Sequence, residues 1–331
     1  MTTNSAAASL RALFVVSRPL SWINTAFPFA AAYILGQAGT TFNGDFAYVS
    51  GAGSETSSSA MSSVLTLNTG AFHFSSVDWL VAIVGIVYFL IPYNLAMYGI
   101  NDVFDYESDL RNPRKGGVEG AMLDRSFHRT ILTAVVATNV PFLIFFVLVG
   151  DPLSWLILGI SVFAVVAYSL QGLRFKERPL LDSITSSTHF VSPAVVGFVL
   201  AGVAFTPQLI AMLAAFFLWG MASHAFGAVQ DVVADREGDI ASIATVIGAR
   251  RTVRLSAAAY VLAGVLMLFT VWPGPLAAIL VISYVATVAP WWNVSDAVAA
   301  GANRGWKRFL LLNYLSGFLT TALLIWWVVR A

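Results

Sequence analysis

Stretches of about twenty consecutive apolar residues recur along this chain, and that recurrence restricts its folds more than any other feature. A helix needs about 20 such residues to cross the hydrocarbon core of a bilayer. Nine windows qualify, at 19–38, 79–100, 130–149, 153–171, 183–204, 208–229, 254–272, 275–293 and 309–329. Lipid offers no hydrogen bonds to an exposed backbone, so segments of this length must be helical. The expected fold is therefore all-α, a polytopic bundle of nine transmembrane helices. Composition agrees, since 58% of the 331 residues are hydrophobic and 11% are charged, against roughly a quarter charged in soluble domains. That excludes an ordinary cytosolic enzyme and a disordered chain. A formal net charge of +1 excludes a basic nucleic-acid binder, and the absence of cysteine removes disulfides and thiolate chemistry.

Breakers fall where the windows end: Gly150-Asp151-Pro152, Thr206-Pro207 and Trp272-Pro273-Gly274-Pro275 mark tight hairpins. Charge supplies the orientation, because Lys and Arg of short loops collect on the cytoplasmic side. With the N-terminus inside, 17 of the 18 basic residues fall on that face and only Arg330 does not. A miscount by one helix would scatter them over both faces. The short polar stretch Met1–Leu10 predicts no removable leader, so the first helix serves as its own insertion signal. Residues 39–77 are rich in Ser, Thr and Gly and lack Lys and Arg, which predicts a flexible extracytoplasmic loop within a single domain spanning 1–331.

With charge so sparse, the acidic residues carry the information. Asn101, Asp102, Asp105 and Asp109 follow the second window, and Asp231, Asp235 and Asp239 follow the sixth. Both sets fall in segments expected on the cytoplasmic face, 101–126 and 231–250. Spacings of three and four place each set on one helical stripe, where like charges repel unless a cation sits among them. Oxygen-only donors suit a hard ion that keeps some water and shares a phosphate, which describes Mg2+. Solvated carboxylates are common at membrane-surface helix ends, and one cluster would fit that reading equally well. Two matched clusters fit it poorly.

Basic residues interleave with these acids: Arg111, Arg114 and Lys115 after the first set, Arg174, Lys176 and Arg178 after the fourth window, and Arg236 within the second set. Together they would neutralise a diphosphate, although positive charge also belongs on this face as a topology marker. Arg174 and Lys176 are favoured over Arg250 and Arg251 because their loop falls between the two acidic segments. Within the windows, the polar Asn24, Asn94, His189 and His224 stand out, as does the run Ser183, Thr185, Ser186, Ser187, Thr188 and Ser192. Polar residues at membrane depth are functional candidates. The competing reading is an interhelical hydrogen bond worth about 0.6 kcal/mol. Asn94 lies two turns before Asp102 and is expected to point to the same cavity.

These residues resemble a known family. Asn101-Asp102-Val103-Phe104-Asp105-Tyr106-Glu107-Ser108-Asp109 is similar to the first Asp-rich motif of the UbiA superfamily of intramembrane prenyltransferases, and Asp231 through Asp239 resembles its second. Ile243 through Gly248 is similar to the segment that trails the second motif. Tyr168-Ser169 with Leu173-Arg174-Phe175-Lys176 resembles the tyrosine-and-lysine loop, with Gln171 and Gly172 where many relatives carry prolines. Ser17 through Phe29 and Arg174 through Pro179 look most like the lycopene elongase branch. The resemblance implies a central cavity, Mg2+ held by Asp102, Asp105, Asp109, Asp231, Asp235 and Asp239, and catalytic roles for Asn101, Asp102, Asp105, Asp231 and Asp235. Prenyl diphosphate contacts would come from Arg114, Lys115, Tyr168, Arg174, Lys176, Arg236, Asn94 and Asn24. It implies dimethylallyl diphosphate as donor and lycopene as acceptor. Metal and basic side chains would stabilise the leaving diphosphate, and aromatic faces such as Trp22, Tyr93, Tyr98 or Tyr168 would support the allylic cation.

Rival readings stay open here. An aromatic or quinone-precursor acceptor fits the same motifs. A secondary transporter should place its charged site near the bilayer midplane, whereas these charges collect at one face. A retinal protein needs a lysine within a span, and Lys115, Lys176 and Lys307 all fall in loops. A phosphatidyl-alcohol transferase would show one extended, glycine-containing Asp motif.

Overall fold

Membrane helices gain little from burying apolar groups against one another, so the bundle relies on close backbone approach and on satisfied polar groups. The computed structural model describes residues 5–39, 72–111 and 123–330, and every regular element among them is helical. Most of the loop expected at 39–77 lies outside the described residues. In chain order the helices are α1 (Ala6–Val16), α2 (Ile23–Ala38), α3 (Trp79–Leu90), α4 (Pro92–Phe104), α5 (Tyr106–Arg111), α6 (His128–Val149) and α7 (Pro152–Ser169). Then follow α8 (Leu181–Leu200), α9 (Pro207–Val229), α10 (Val232–Glu237), α11 (Ile243–Ile247), α12 (Ala249–Met267), α13 (Leu280–Val288) and α14 (Asn303–Arg330).

Seven helical stretches among the described residues are long and apolar enough to cross a membrane: Trp79–Phe104, Arg125–Val149, Pro152–Ser169, Leu181–Leu200, Pro207–Val229, Gly274–Trp291 and Asp296–Arg330. The chain is a multi-pass membrane protein. The other two expected spans are helical but fall short of that mark for identifiable reasons. Helix α2 has 16 residues, and α12 carries Arg250, Arg251 and Arg254 in its first two turns. At the N-terminus, α1 forms where only a polar tail was expected. Ser5 caps it by accepting from Ala8 N at 3.2 Å, and it packs on α4 and α6.

Two aromatic-rich cores flank the interior. Phe29, Tyr88, Phe89, Tyr93 and Phe146 interlock between α2, α3, α4 and α6. Phe226, Tyr260, Tyr284 and Phe309 do the same between α9, α12, α13 and α14. Such ring pairs add roughly 0.5–1.5 kcal/mol each beyond burial. Helix α8 packs on α2, α7 and α9 and so joins the halves.

The break between α3 and α4 explains a polar residue. Pro92 cannot donate to the helix ladder, and Asn94, fully buried, compensates. Its Nδ2 donates to the carbonyls of Phe89 at 2.8 Å and Leu90 at 3.2 Å and to Thr25 Oγ1 at 2.7 Å. Asn94 thus repairs the helix break and does not line the cavity it was expected to face.

Helix α8 meets α2 so closely that a β-carbon at Gly197 would stand 2.8 Å from the Phe29 carbonyl oxygen and 3.1 Å from Tyr33 N. Gly197→Val is therefore expected to destabilise the protein by about 1–3 kcal/mol, read as a lower unfolding midpoint in detergent. Gly159→Ala, where nothing lies within 4 Å, should leave that midpoint unchanged or raise it.

Candidate active site at the charged end of the bundle

The first acidic motif lies across a helix end and not in a loop. Asn101 and Asp102 occupy the last turn of α4, and Asp105 is its C-cap, bonding back from its N–H to the Asn101 carbonyl. The helix restarts as α5, so the single stripe expected for Asp102, Asp105 and Asp109 is interrupted. Asp102 turns to Arg18, whose Nη2 donates to Oδ1 at 2.6 Å. The same guanidinium lies over the Tyr98 ring, 4.3 Å from its centroid. Asp105 faces the cavity and pairs with Lys176 and, at 3.5 Å, with Arg174. Asn101 Nδ2 donates to Asp105 Oδ2 at 2.6 Å and to Ser169 Oγ at 3.0 Å, which fixes the carboxylate. The Asp109 side chain, with Arg114 and Lys115, lies outside the described residues.

Two of the cations that serve this motif are held in an uncommon backbone state. Arg18 has φ 49° and Arg174 has φ 38°, a left-handed region costing a non-glycine residue roughly 1–2 kcal/mol. Strain of this kind persists where surrounding contacts over-determine the geometry, and here each arginine is tied to a buried aspartate.

The second motif opens the short helix α10. Asp231 is its N-cap and Asp235 follows one turn later, so both line the cavity. Asp239 lies past the helix end, at φ 53°, exposed and away from the lining, so it does not continue their stripe. Arg236 points the other way: it donates to Asp296 Oδ2 at 2.7 Å and to the Thr245 carbonyl at 2.7 Å. Asp296 in turn accepts from Ala249 N at 2.8 Å. The structure thus places Arg236 as a tie between α10, α11 and α12.

The loop between α7 and α8 connects the two acidic walls. It carries Lys176 to Asp105. At the start of α8, the fully buried Asp182 accepts from Ile243 N at 2.8 Å, just behind the second motif. Both motifs therefore border one cavity of about 2010 Å³. Ligand pockets are typically about 300–1,000 Å³, so this one admits more than a compact molecule. Asn101, Asp105, Lys176, Asp231 and Asp235 border its polar end. Tyr168, His189 and His224 lie beneath, and the remainder is largely aliphatic and aromatic, with Phe190, Phe198, Met212 and Phe216 among its walls. Asn24 also lines it, as expected. It reaches Pro207 at the far end of α9. A helix of 23 residues at 1.5 Å per residue is roughly 35 Å long, so the cavity runs through the bundle.

The donor chemistry at the polar end fits a hard divalent cation, since Asn101, Asp105, Asp231 and Asp235 offer only amide and carboxylate oxygen there. Among the described residues no three carboxylate or imidazole groups gather closely enough to cage an ion alone. An ion would complete its shell with water and the oxygens of a bound anion, which is the habit of magnesium.

Comparison with known proteins decides the family. The chain matches the UbiA prenyltransferase family over residues 59–317. It belongs to that family. The UbiA chain is 48% identical over 316 residues to a lycopene elongase/hydratase of Corynebacterium glutamicum, covering 96% of this chain and 97% of that protein. It is 51% identical over 321 residues to the C(50) beta-cyclic carotenoids biosynthesis protein LbtBC of Dietzia sp., covering 97% of this chain but 66% of that longer protein. In fold it is similar to a UbiA homolog from Archaeoglobus fulgidus solved with DMAPP and Mg2+, at a TM-score of 0.59 and 14% identity over 92% of this chain and 98% of that one. The UbiA chain is accordingly a membrane prenyltransferase.

Arg18 is the site residue that sequence reasoning passed over, because it looked like one more topology marker. Its partner is 84 positions away, and no local pattern announces the pair. Removing one member of a buried ion pair costs about 3–5 kcal/mol. Asp102 is nearly buried, with a side chain 4% exposed. Arg18→Ala is thus expected to lower the folded yield and the unfolding midpoint in detergent, with Arg18→Lys recovering part of both.

Proposed function

We infer that this chain transfers the dimethylallyl group of dimethylallyl diphosphate to lycopene, with magnesium, as a lycopene elongase of C50 carotenoid biosynthesis. The observation that carries this reading is the joint border of the long apolar cavity, where two carboxylate walls and the cations Arg18 and Lys176 meet. A diphosphate ester with a hydrocarbon tail has the same division of character. The relatives named lycopene elongase/hydratase support the acceptor. The solved neighbour bound to DMAPP and Mg2+ supports the donor and the metal.

In this reading the chain has nine spans forming one unit over 1–331, with α2 and α12 completing the bundle and the polar end at the cytoplasmic face by the distribution of Lys and Arg. Asp102, Asp105, Asp109, Asp231, Asp235 and Asp239 are the proposed metal ligands, and among the described ones Asp105, Asp231 and Asp235 are best placed. Bound magnesium would supply charge stabilisation for the departing diphosphate. Asn101 holds Asp105 in place for that task. Lys176 and Arg174, paired with Asp105 before substrate arrives, shift to the phosphate oxygens, joined by Arg114 and Lys115. Arg18 holds Asp102 in place. Tyr168, with Asn24, borders the space where the allylic carbons lie, and the apolar walls keep bulk water from the cation. The long cavity beyond receives the acceptor polyene.

Expression in a lycopene-producing host tests the reading: longer carotenoids should appear by mass spectrometry. Unchanged lycopene beside folded protein would discard that acceptor, and prenylation of an added aromatic acid instead would reassign it. Asp235→Asn, which removes a ligand charge, should reduce turnover by about 10²-fold or more while membrane insertion is retained. Lys176→Met should raise the KM for the prenyl diphosphate about tenfold, since a charge-assisted hydrogen bond contributes about 1.5–3 kcal/mol.

A further inference from the structure

Beneath the carboxylates lies a group that the charge-handling machinery does not use. His189 projects from α8 into the cavity while remaining 3% exposed. It stands two turns into the helix, roughly 12 Å along its axis from Leu181. The ring hydrogen-bonds to the backbone carbonyl of Ala164, and its Nε2 has no hydrogen-bond partner. A carbonyl only accepts, so the bonded nitrogen is Nδ1 and carries the proton. Nε2 then presents a bare lone pair. Tyr168 packs edge-on against this ring at a centroid distance of 5.2 Å and against His224 at 6.3 Å, which fixes a polar collar between the acidic end and the apolar interior. A buried polar atom without a partner is uncommon and calls for a reason.

The proposed reaction leaves one proton to be removed. Diphosphate departs with the electron pair of its bond to carbon, and a π pair of the acceptor alkene forms the new carbon–carbon bond. The acceptor then carries the positive charge. Neutrality returns when an adjacent C–H bond gives its pair to a new double bond, or when water adds through a lone pair. In either case one proton leaves. We propose that His189 Nε2 is the base that receives it, becoming imidazolium and passing the proton on between turnovers. The position suits this role. With the diphosphate at the acidic end, the five-carbon unit extends downward, and the new bond forms at the depth of the collar. Asp102 and Asp105 above are paired with Arg18 and with Lys176 and Arg174, whereas Nε2 is a base without a partner facing the cavity.

This inference rests on prenyl transfer to lycopene, and the test separates the two. Membranes containing wild-type, His189→Phe, His189→Gln or His189→Ala protein are supplied with dimethylallyl diphosphate, lycopene and Mg2+, and both released diphosphate and prenylated lycopene are measured. Without the base, ionisation continues but the acceptor cation reverts and the allylic cation is lost to water. Prenylated lycopene per diphosphate released should therefore fall at least tenfold in the three variants, with dimethylallyl alcohol appearing. Diphosphate release itself should stay within about threefold of wild type. Added imidazole should restore coupling in His189→Ala, a response that a packing role would not produce. Reactions in H2(18)O identify the proton's source: label in the wild-type carotenoid assigns it to water, and its absence assigns it to carbon. If the variants keep the wild-type ratio of product to diphosphate, whether fast or slow, or lose diphosphate release altogether while folded, the base assignment is overturned. If wild-type protein releases diphosphate but never prenylates lycopene, the acceptor reading fails and takes this inference with it.

Discussion

An uncompensated charge in a low-dielectric interior is too unfavourable to persist, and the polar end of this bundle is organised around that constraint. Asp102 is neutralised by Arg18 and Asp105 by Lys176 and Arg174. These pairings draw together segments far apart in the chain: the turn before α2, the end of α4, and the loop between α7 and α8. The left-handed backbone at Arg18 and Arg174 accompanies these pairings. Arg18 reaches the buried Asp102 at 2.6 Å, and Arg174 lies 2.6 Å from Glu177 and 3.5 Å from the buried Asp105. The charge pairs therefore hold the end of the bundle together, and on the proposed reading they would also store the cations that an anionic substrate requires.

That arrangement fits a site that exchanges partners. An ion pair already formed has met part of its desolvation penalty, so on the proposed reading a diphosphate would meet preorganised groups. Asp105 would then turn to a divalent ion and Lys176 to phosphate, with the total charge kept near balance. The second wall needs a different support because Asp231 and Asp235 sit on the short helix α10, which is too brief to be stable alone. Arg236 and Asp296 supply it, tying α10 to the Thr245 carbonyl and to the first residue of α12. The arginine expected to bind substrate thus fixes the platform that presents two carboxylates.

Local patterns carried much of this arrangement, and long-range pairing carried the rest. Hydropathy located every span that became a full-length apolar helix, because lipid demands unbroken helical hydrogen bonding over the thickness of its core. Spacing of three and four picked out Asp105, Asp231 and Asp235, which line the cavity, together with Asp102 and Asp239, which do not. It assumed continuous helix, however, and the helix ends at Asp105 and again at Gly238. At the first end Asp105 meets Lys176 from a distant loop, and past the second Ile240 N donates back to the Asp235 carbonyl. Periodicity contains no information about the former. Asn94 shows the same limit from the other side. A polar residue in an apolar window can serve chemistry or repair a backbone, and Pro92 two positions earlier was the local sign that repair was needed.

On the proposed reading, the order of groups along the cavity also bears on how an allylic cation would be steered. Carboxylates and cations stand at one end, then Tyr168, His189 and His224, then aliphatic and aromatic walls down to the hairpin at Pro207. A cation formed near the charged end is attracted back toward the diphosphate it has just left, and in low dielectric that attraction is strong. Forward reaction requires something ahead of it that is electron-rich without being a fast nucleophile. The ring of Tyr168 would meet that need through its quadrupole, and an acceptor alkene lying along the apolar channel would meet it through its π electrons. Below the collar the lining is largely apolar but also carries Ser223, Asn313, Thr320 and Thr321, so productive capture would depend on the acceptor filling that channel and covering those groups.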